Sequence, residues 1–155
     1  MRKFLFASVV TVALIASPIG ASAHTSASKL PVSAASGSFK FVFNSMDCSK
    51  SVLGDKYINS QADGTYCVFK VTVKNVAKKA DYVPATDITA VDAKGNEFDH
   101  DSGMAMYLKG TFMLDKVSPG NQKQGFLVYD VPKGTKLTKL VISGGLFGDD
   151  VTVKL

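Results

Sequence analysis

Histidine and cysteine, the residues best suited to acid–base, nucleophilic or ligand chemistry near neutral pH, number two each in this 155-residue chain. His100 sits in Asp99-His100-Asp101-Ser102-Gly103, which sets an imidazole beside carboxylates and a hydroxyl. A hydrolytic triad needs nucleophile, base and orienting acid to meet across a fold, whereas neighbours on one loop point apart. The spacing therefore predicts no catalytic residue. Asp99, Asp101 and Gly103 are spaced like the opening of a calcium loop, but neither Met104 nor Leu108 through Phe112 supplies the later bidentate carboxylate. Carboxylate pairs are equally sparse: Glu97 is the only glutamate, and Asp149-Asp150 follows Gly148 in a predicted turn.

His24 owes its interest to what precedes it. Arg2 and Lys3 lead into Phe4 to Ala16, thirteen residues without charge, followed by Pro18, Gly20 and the small-residue run Ala21-Ser22-Ala23. This is the layout of a secretory signal peptide over 1–23. A bilayer span needs about 20 apolar residues, and no later stretch approaches that length. Cleavage after Ala23 makes His24 the first residue, with amine and imidazole on one residue able to chelate Cu(II). His100 would supply a third nitrogen, as in secreted copper carriers and polysaccharide monooxygenases, which this pattern is similar to. Against this, 24–37 reads as a flexible Ser/Ala-rich lead-in that holds His24 against nothing, and Trp is absent. The expectation is no metal and no cofactor, with the His24–His100 copper site as the alternative.

Export places Cys48 and Cys67 where thiols oxidise, and two cysteines permit one pairing. A bridge between them closes a loop of about 20 residues and contributes on the order of 3 kcal/mol. A reactive thiol would need exposure and a cationic neighbour, and Cys67 stands instead on the inward phase of a strand with Phe69, Val71 and Val73.

Loss of Arg2 and Lys3 with the leader takes the 18 basic residues to 16, all lysine, against 13 acidic ones, a net +3. Without arginine forks to grip phosphates and base edges, and with lysines scattered between acids, the surface predicts no nucleic-acid partner.

The elements that must position these residues read as strands. With 46% apolar and 20% charged residues the chain has the composition of one globular domain. Period-two alternation marks strands at 38–45, 65–75, 86–92, 122–131, 137–143 and 150–155, with shorter ones at 96–99 and 111–117. Turn chemistry separates them at Ala62-Asp63-Gly64, Ala93-Lys94-Gly95-Asn96, Ser118-Pro119-Gly120-Asn121, Pro132-Lys133-Gly134 and Ser143-Gly144-Gly145. Residues 103–109 can form one helical turn. Phe39, Phe41, Phe43, Phe69 and Phe126 read as core, and Tyr57, Tyr82, Tyr107, Met104 and Met106 fall in loops, where contact surfaces are sought. The pattern predicts an all-β fold over 38–155, an antiparallel sandwich of seven to eight strands.

Phe69 to Ala80, FKVTVKNVAKKA, resembles the V-T-V-K-N-x-G-K-K strand and turn of a large secreted bacterial family of unknown function, grouped with the immunoprotective extracellular antigens of mycobacteria. Val91-Asp92-Ala93-Lys94-Gly95-Asn96-Glu97-Phe98 and Val117-Ser118-Pro119-Gly120, leading into Gly125 to Pro132, agree in order and spacing. The resemblance implies an immunoglobulin-like fold and an extracellular setting, and no catalytic residues. The chain departs from lipoprotein relatives by lacking a lipid-bearing Cys, and the Cys48/Cys67 pair is no hallmark of the family.

Together these readings predict a secreted, non-enzymatic β-sandwich that recognises an extracellular protein or envelope component, contacting it through loops around 54–64, 99–110 and 144–149. Intact mass spectrometry of the exported protein checks the leader and the bridge together. The expected species begins at His24 and is two hydrogen atoms lighter than the dithiol; two alkylatable cysteines in the native protein refute the bridge.

Overall fold

The computed structural model describes residues 30–145 and 148–155; the expected leader over 1–23, His24, the first part of the lead-in and the centre of the 144–149 loop lie outside the described residues. Ten strands occur among those described: β1 Val32–Ser36, β2 Phe39–Gly54, β3 Asn59–Asn75, β4 Asp81–Tyr82, β5 Ile88–Asp92, β6 Glu97–Phe98, β7 Lys116–Val117, β8 Gln122–Val131, β9 Leu137–Ile142 and β10 Val151–Lys154. They form two four-stranded sheets, β1-β2-β3-β8 and β10-β9-β5-β6, and the short ribbon β4-β7, every strand pair antiparallel.

Alternation builds the core. On β2, Phe39, Phe41 and Phe43 are buried while Lys40 is exposed; on β3, Cys67, Phe69, Val71 and Val73 are buried while Lys70 and Lys74 are exposed. These residues meet Ile88, Ala90, Leu140, Ile142 and Val153 of the opposing sheet, so the chain is the two-layer, all-β sandwich that its periodicity predicts. Each fully buried phenylalanine contributes about 1.5–3 kcal/mol.

Tyr129 ties the layers with a directed bond. Its ring meets Phe69 edge-on at 5.7 Å between centroids, and its phenol donates to the Ile88 carbonyl at 2.9 Å. At the end of β3, Asn75 is fully buried: its amide donates to the carbonyls of Lys79 and Val117, and its Oδ1 accepts from the Ala77 N–H. The asparagine of the Val71-Thr72-Val73-Lys74-Asn75 run is thus the peg that holds the following turn against β7.

Four expectations are corrected and a fifth is refined. Within the lead-in expected over 24–37, Val32–Ser36 form a strand, because Val32 and Ala34 pack against the core edge and Gly37, at φ +54°, closes a two-residue turn with Ser38. Ala62-Asp63-Gly64 is not a turn but part of β3, where the Asp130 carboxylate accepts from the Asp63 and Gly64 N–H groups. Gly64 passes so close to β8 that a Cβ there would sit 2.1 Å from the Val131 carbonyl oxygen. The reversal falls instead at 55–58, where the Asp55 carboxylate accepts from Tyr57 and Ile58. The 111–117 strand shrinks to Lys116–Val117, which pairs with the unforeseen β4. Phe126 is half-buried on the outer face, because β8 sends Leu127, Tyr129 and Val131 inward. A 3-10 turn, Ser102–Met106, stands where one helical turn is expected.

Burial, and secondarily the Asp99 charge, raises the Tyr129 phenol above its ordinary value. The folded state therefore keeps the neutral phenol, and this stabilisation is complete below about pH 10 and declines above it as only the unfolded chain ionises. Tyr129→Phe is expected to cost about 1–2 kcal/mol at neutral pH and to flatten the alkaline decline. Urea unfolding at pH 7 and pH 11 measures both, and an unchanged alkaline slope contradicts the assignment.

Candidate functional site

Strand β8 ends its sheet, so alternate backbone groups face away from β3 and need partners. Segment 99–112 supplies them. Phe126 N–H donates to the Gly110 carbonyl at 2.9 Å and its carbonyl accepts from Phe112 N–H at 3.0 Å. Two residues on, the Val128 carbonyl accepts from Asp101 N–H at 2.9 Å, and Val128 N–H donates to His100 Nδ1 at 3.0 Å. An Nδ1 that accepts is bare, so the proton is on Nε2, which donates to the Phe112 carbonyl at 2.9 Å. The buried imidazole replaces a missing strand and lies edge-on to Tyr129, 6.0 Å between centroids.

The same contacts give the Asp99–Gly103 motif its partners. The partners of His100 are backbone groups, not Asp99 or Ser102, and the Asp101 carboxylate accepts from Gly103 N–H to start the 3-10 turn. That turn lowers Met104 onto Leu53, Tyr66 and Val128, a second apolar cluster on the outer face of the β1-β2-β3-β8 sheet. His100, the second ligand of the copper alternative, has both ring nitrogens engaged by backbone groups, and His24 lies outside the described residues. Among the described residues no three His, Cys, Asp or Glu side chains are gathered where they could hold a metal.

Cys48 and Cys67 are joined between β2 and β3, where the register shifts between Asp47 and Lys50. Of the loop residues marked as contact candidates, Tyr57, Tyr82 and Met106 are exposed, Tyr107 is half-buried and Met104 is buried.

Segment 99–112 covers only half of the sheet's outer face. The open half shows a first row of Ala35, Lys40, Lys74 and Gln122, a second of Ser33, Val42, Thr72 and Gln124, and then Lys70 beside Phe126. Thr72 Oγ1 accepts from Asn44 Nδ2 at 3.0 Å and Gln124 Nε2 at 3.3 Å, fixing the second row across three strands. The ion pairs among the described residues are Lys50–Asp47 at 3.5 Å and Lys123–Asp115, neither involving Lys40, Lys70 or Lys74. The Asp47 carboxyl is held below its usual range by the Ser49 hydroxyl and N–H, with help from Lys50. Lys40 lies 30 residues before Lys70 and 34 before Lys74, so charge counting misses this face; strand phase was the available signal, since all three occupy the phase opposite to the buried Phe and Val residues.

A family model described as a domain of unknown function, DUF4352, matches residues 28–152. The chain belongs to the DUF4352 family. No curated protein matches it. Among solved structures, the domain is similar to the secreted protein MPT63 from Mycobacterium tuberculosis, with TM-score 0.58 and 17% identity over 76% of this chain and 82% of that one. It is similar to the yjhA protein of Bacillus subtilis, with TM-score 0.57 and 16% identity over 80% and 96%. It also matches a putative lipoprotein of Bacillus subtilis, with TM-score 0.54 and 20% identity over 79% of this chain but 38% of that one. At these identities the likeness establishes the sandwich and nothing of its ligands.

Replacing the imidazole strands two buried backbone groups, the Val128 N–H and the Phe112 carbonyl. His100→Ala is expected to cost about 3 kcal/mol in urea unfolding, from two unmade bonds at about 1–3 kcal/mol each. Cu(II) affinity of the folded variant should equal that of the parent. A clear loss of Cu(II) affinity with His100→Ala contradicts the structural role.

Proposed function

We propose that this DUF4352 domain is a non-catalytic recognition module that works outside the cytosol, at or near the cell surface, and that the open half of the β1-β2-β3-β8 face is its contact surface. The observation that carries this reading is the division of that one face. One half is sealed by segment 99–112 through His100, while the other displays three lysines without intramolecular ion pairs around a hydrogen-bonded amide and hydroxyl row. Polar side chains on a rigid sheet can bind a partner with little ordering cost.

The extracellular setting is supported by the leader pattern over 1–23 and by the secreted MPT63 and the putative lipoprotein among the structural neighbours. Within this reading the mature chain starts at His24, and its partner is an extracellular protein or envelope component. Among the described residues no helix is long and apolar enough to cross a membrane.

Co-sedimentation of the purified mature protein with the producing cell's envelope tests the reading. Gln124→Trp, which blocks the face without changing charge, should abolish sedimentation, whereas Thr152→Trp on the exposed side of β10 should not. Equal sedimentation of both variants, or none by the parent, refutes the face; turnover of any ester, glycoside or peptide in a broad screen refutes the non-catalytic role.

A further inference from the structure

We propose that the open face binds a linear, base-free phosphate polymer laid along β3. This rests on the recognition reading above and names the class of partner.

Lys40 and Lys74 are directly opposed in the β2–β3 register, so their side chains leave the sheet as neighbours of like charge. Such pairs destabilise a sheet unless something neutralises them. No acidic residue occupies their row or the next one. No surrounding carboxylate forms an ion pair with these lysines: Asp81 accepts from the Ser38 hydroxyl, Asp115 is paired with Lys123, and Asp47, which lies diagonal to Lys70, is held by Ser49 and Lys50. An anion between Lys40 and Lys74 removes the repulsion without moving the backbone.

Hydrogen bonding on the face points to the same ligand chemistry. Thr72 Oγ1 already accepts from Asn44 and Gln124, leaving its own proton for an acceptor beyond the protein surface. Lys74, Thr72 and Lys70 follow one another at two-residue intervals on one side of β3, so donors recur roughly every 7 Å. An extended polyanion laid along the strand meets these donors one after another. Lysine binds phosphate as a point charge, and the mature chain has no arginine fork for carboxylates or guanine edges. Phe126 is the sole aromatic in these rows and is half-buried, so the face lacks the stacking platforms that hold single-stranded bases.

Isothermal calorimetry of the mature protein with long-chain inorganic polyphosphate tests the proposal. With three phosphates neutralised, affinity should fall about 20-fold or more between 50 and 200 mM salt. Lys40→Gln with Lys74→Gln should weaken binding at least tenfold while melting no lower than the parent in the absence of polymer. Lys133→Gln with Lys136→Gln, on a turn away from the face, should bind as the parent does. Equal weakening by both double variants, or equal affinity for oligothymidylate or polyglutamate, overturns the proposal. Absence of polyphosphate binding overturns it too; envelope sedimentation that remains sensitive to Gln124→Trp then leaves the recognition reading standing.

Discussion

An extended chain sends successive side chains to opposite sides, and in this domain that single constraint decides both the interior and the surface. The β2–β3 ribbon places Phe39, Phe41, Phe43, Phe69, Val71 and Val73 inward, against Ile88, Leu140 and Ile142 of the facing sheet. A one-residue slip would exchange the phenylalanines for Lys40 and its neighbours, so burial fixes the register. The Tyr129 phenol adds direction to this non-directional burial, because only one arrangement of the layers brings its hydroxyl to the Ile88 carbonyl. The Cys48–Cys67 bridge lies where the ladder between the same two strands loses its regular register, stapling the ribbon at its irregular end.

Finite sheets leave edges, and the β8 edge explains what the fold does with its histidine. An unpaired strand edge invites pairing with other chains. Here a non-strand segment closes it, using the carbonyl of Gly110, the N–H groups of Asp101 and Phe112, and the imidazole of His100 as acceptor on one side and donor on the other. An imidazole suits the position because a neutral ring offers one of each in a rigid plane. The residue most suggestive of catalysis in the sequence thereby bridges the β8 edge and the carbonyl of Phe112.

How much of this was legible in the sequence follows from which signals period two can carry. Long alternations with large apolar residues, as on β3 and β8, announce themselves, and the sandwich follows from them. Strand β1 did not, because Ala34, Ala35 and the flanking serines have the composition of a linker; only pairing with Phe39 to Phe43 makes them a strand. Ala62-Asp63-Gly64 has turn chemistry, yet Gly64 serves close packing against Val131. Phe126 faces outward because strand phase, not aromatic identity, decides which side of β8 it takes. The role of His100 was illegible because its partners are backbone groups, which carry no sequence signature. The lysine face was hidden for the opposite reason: its residues are conspicuous, but only strand pairing brings Lys40 beside Lys74.

That juxtaposition is affordable because it is small beside what holds the layers together. A like-charged cross-strand pair costs at most about 1 kcal/mol, against about 1.5–3 kcal/mol for each buried phenylalanine below it. Inward positions are thus held by the whole core, while outward positions in the open half can change with little effect on folding. A shared scaffold at 13–20% identity among the structural neighbours is compatible with different outward rows and different partners. Segment 99–112 separates the two regimes on a single face, since the half it covers is tied to the edge of β8 through His100 and the half it leaves open carries no such tie.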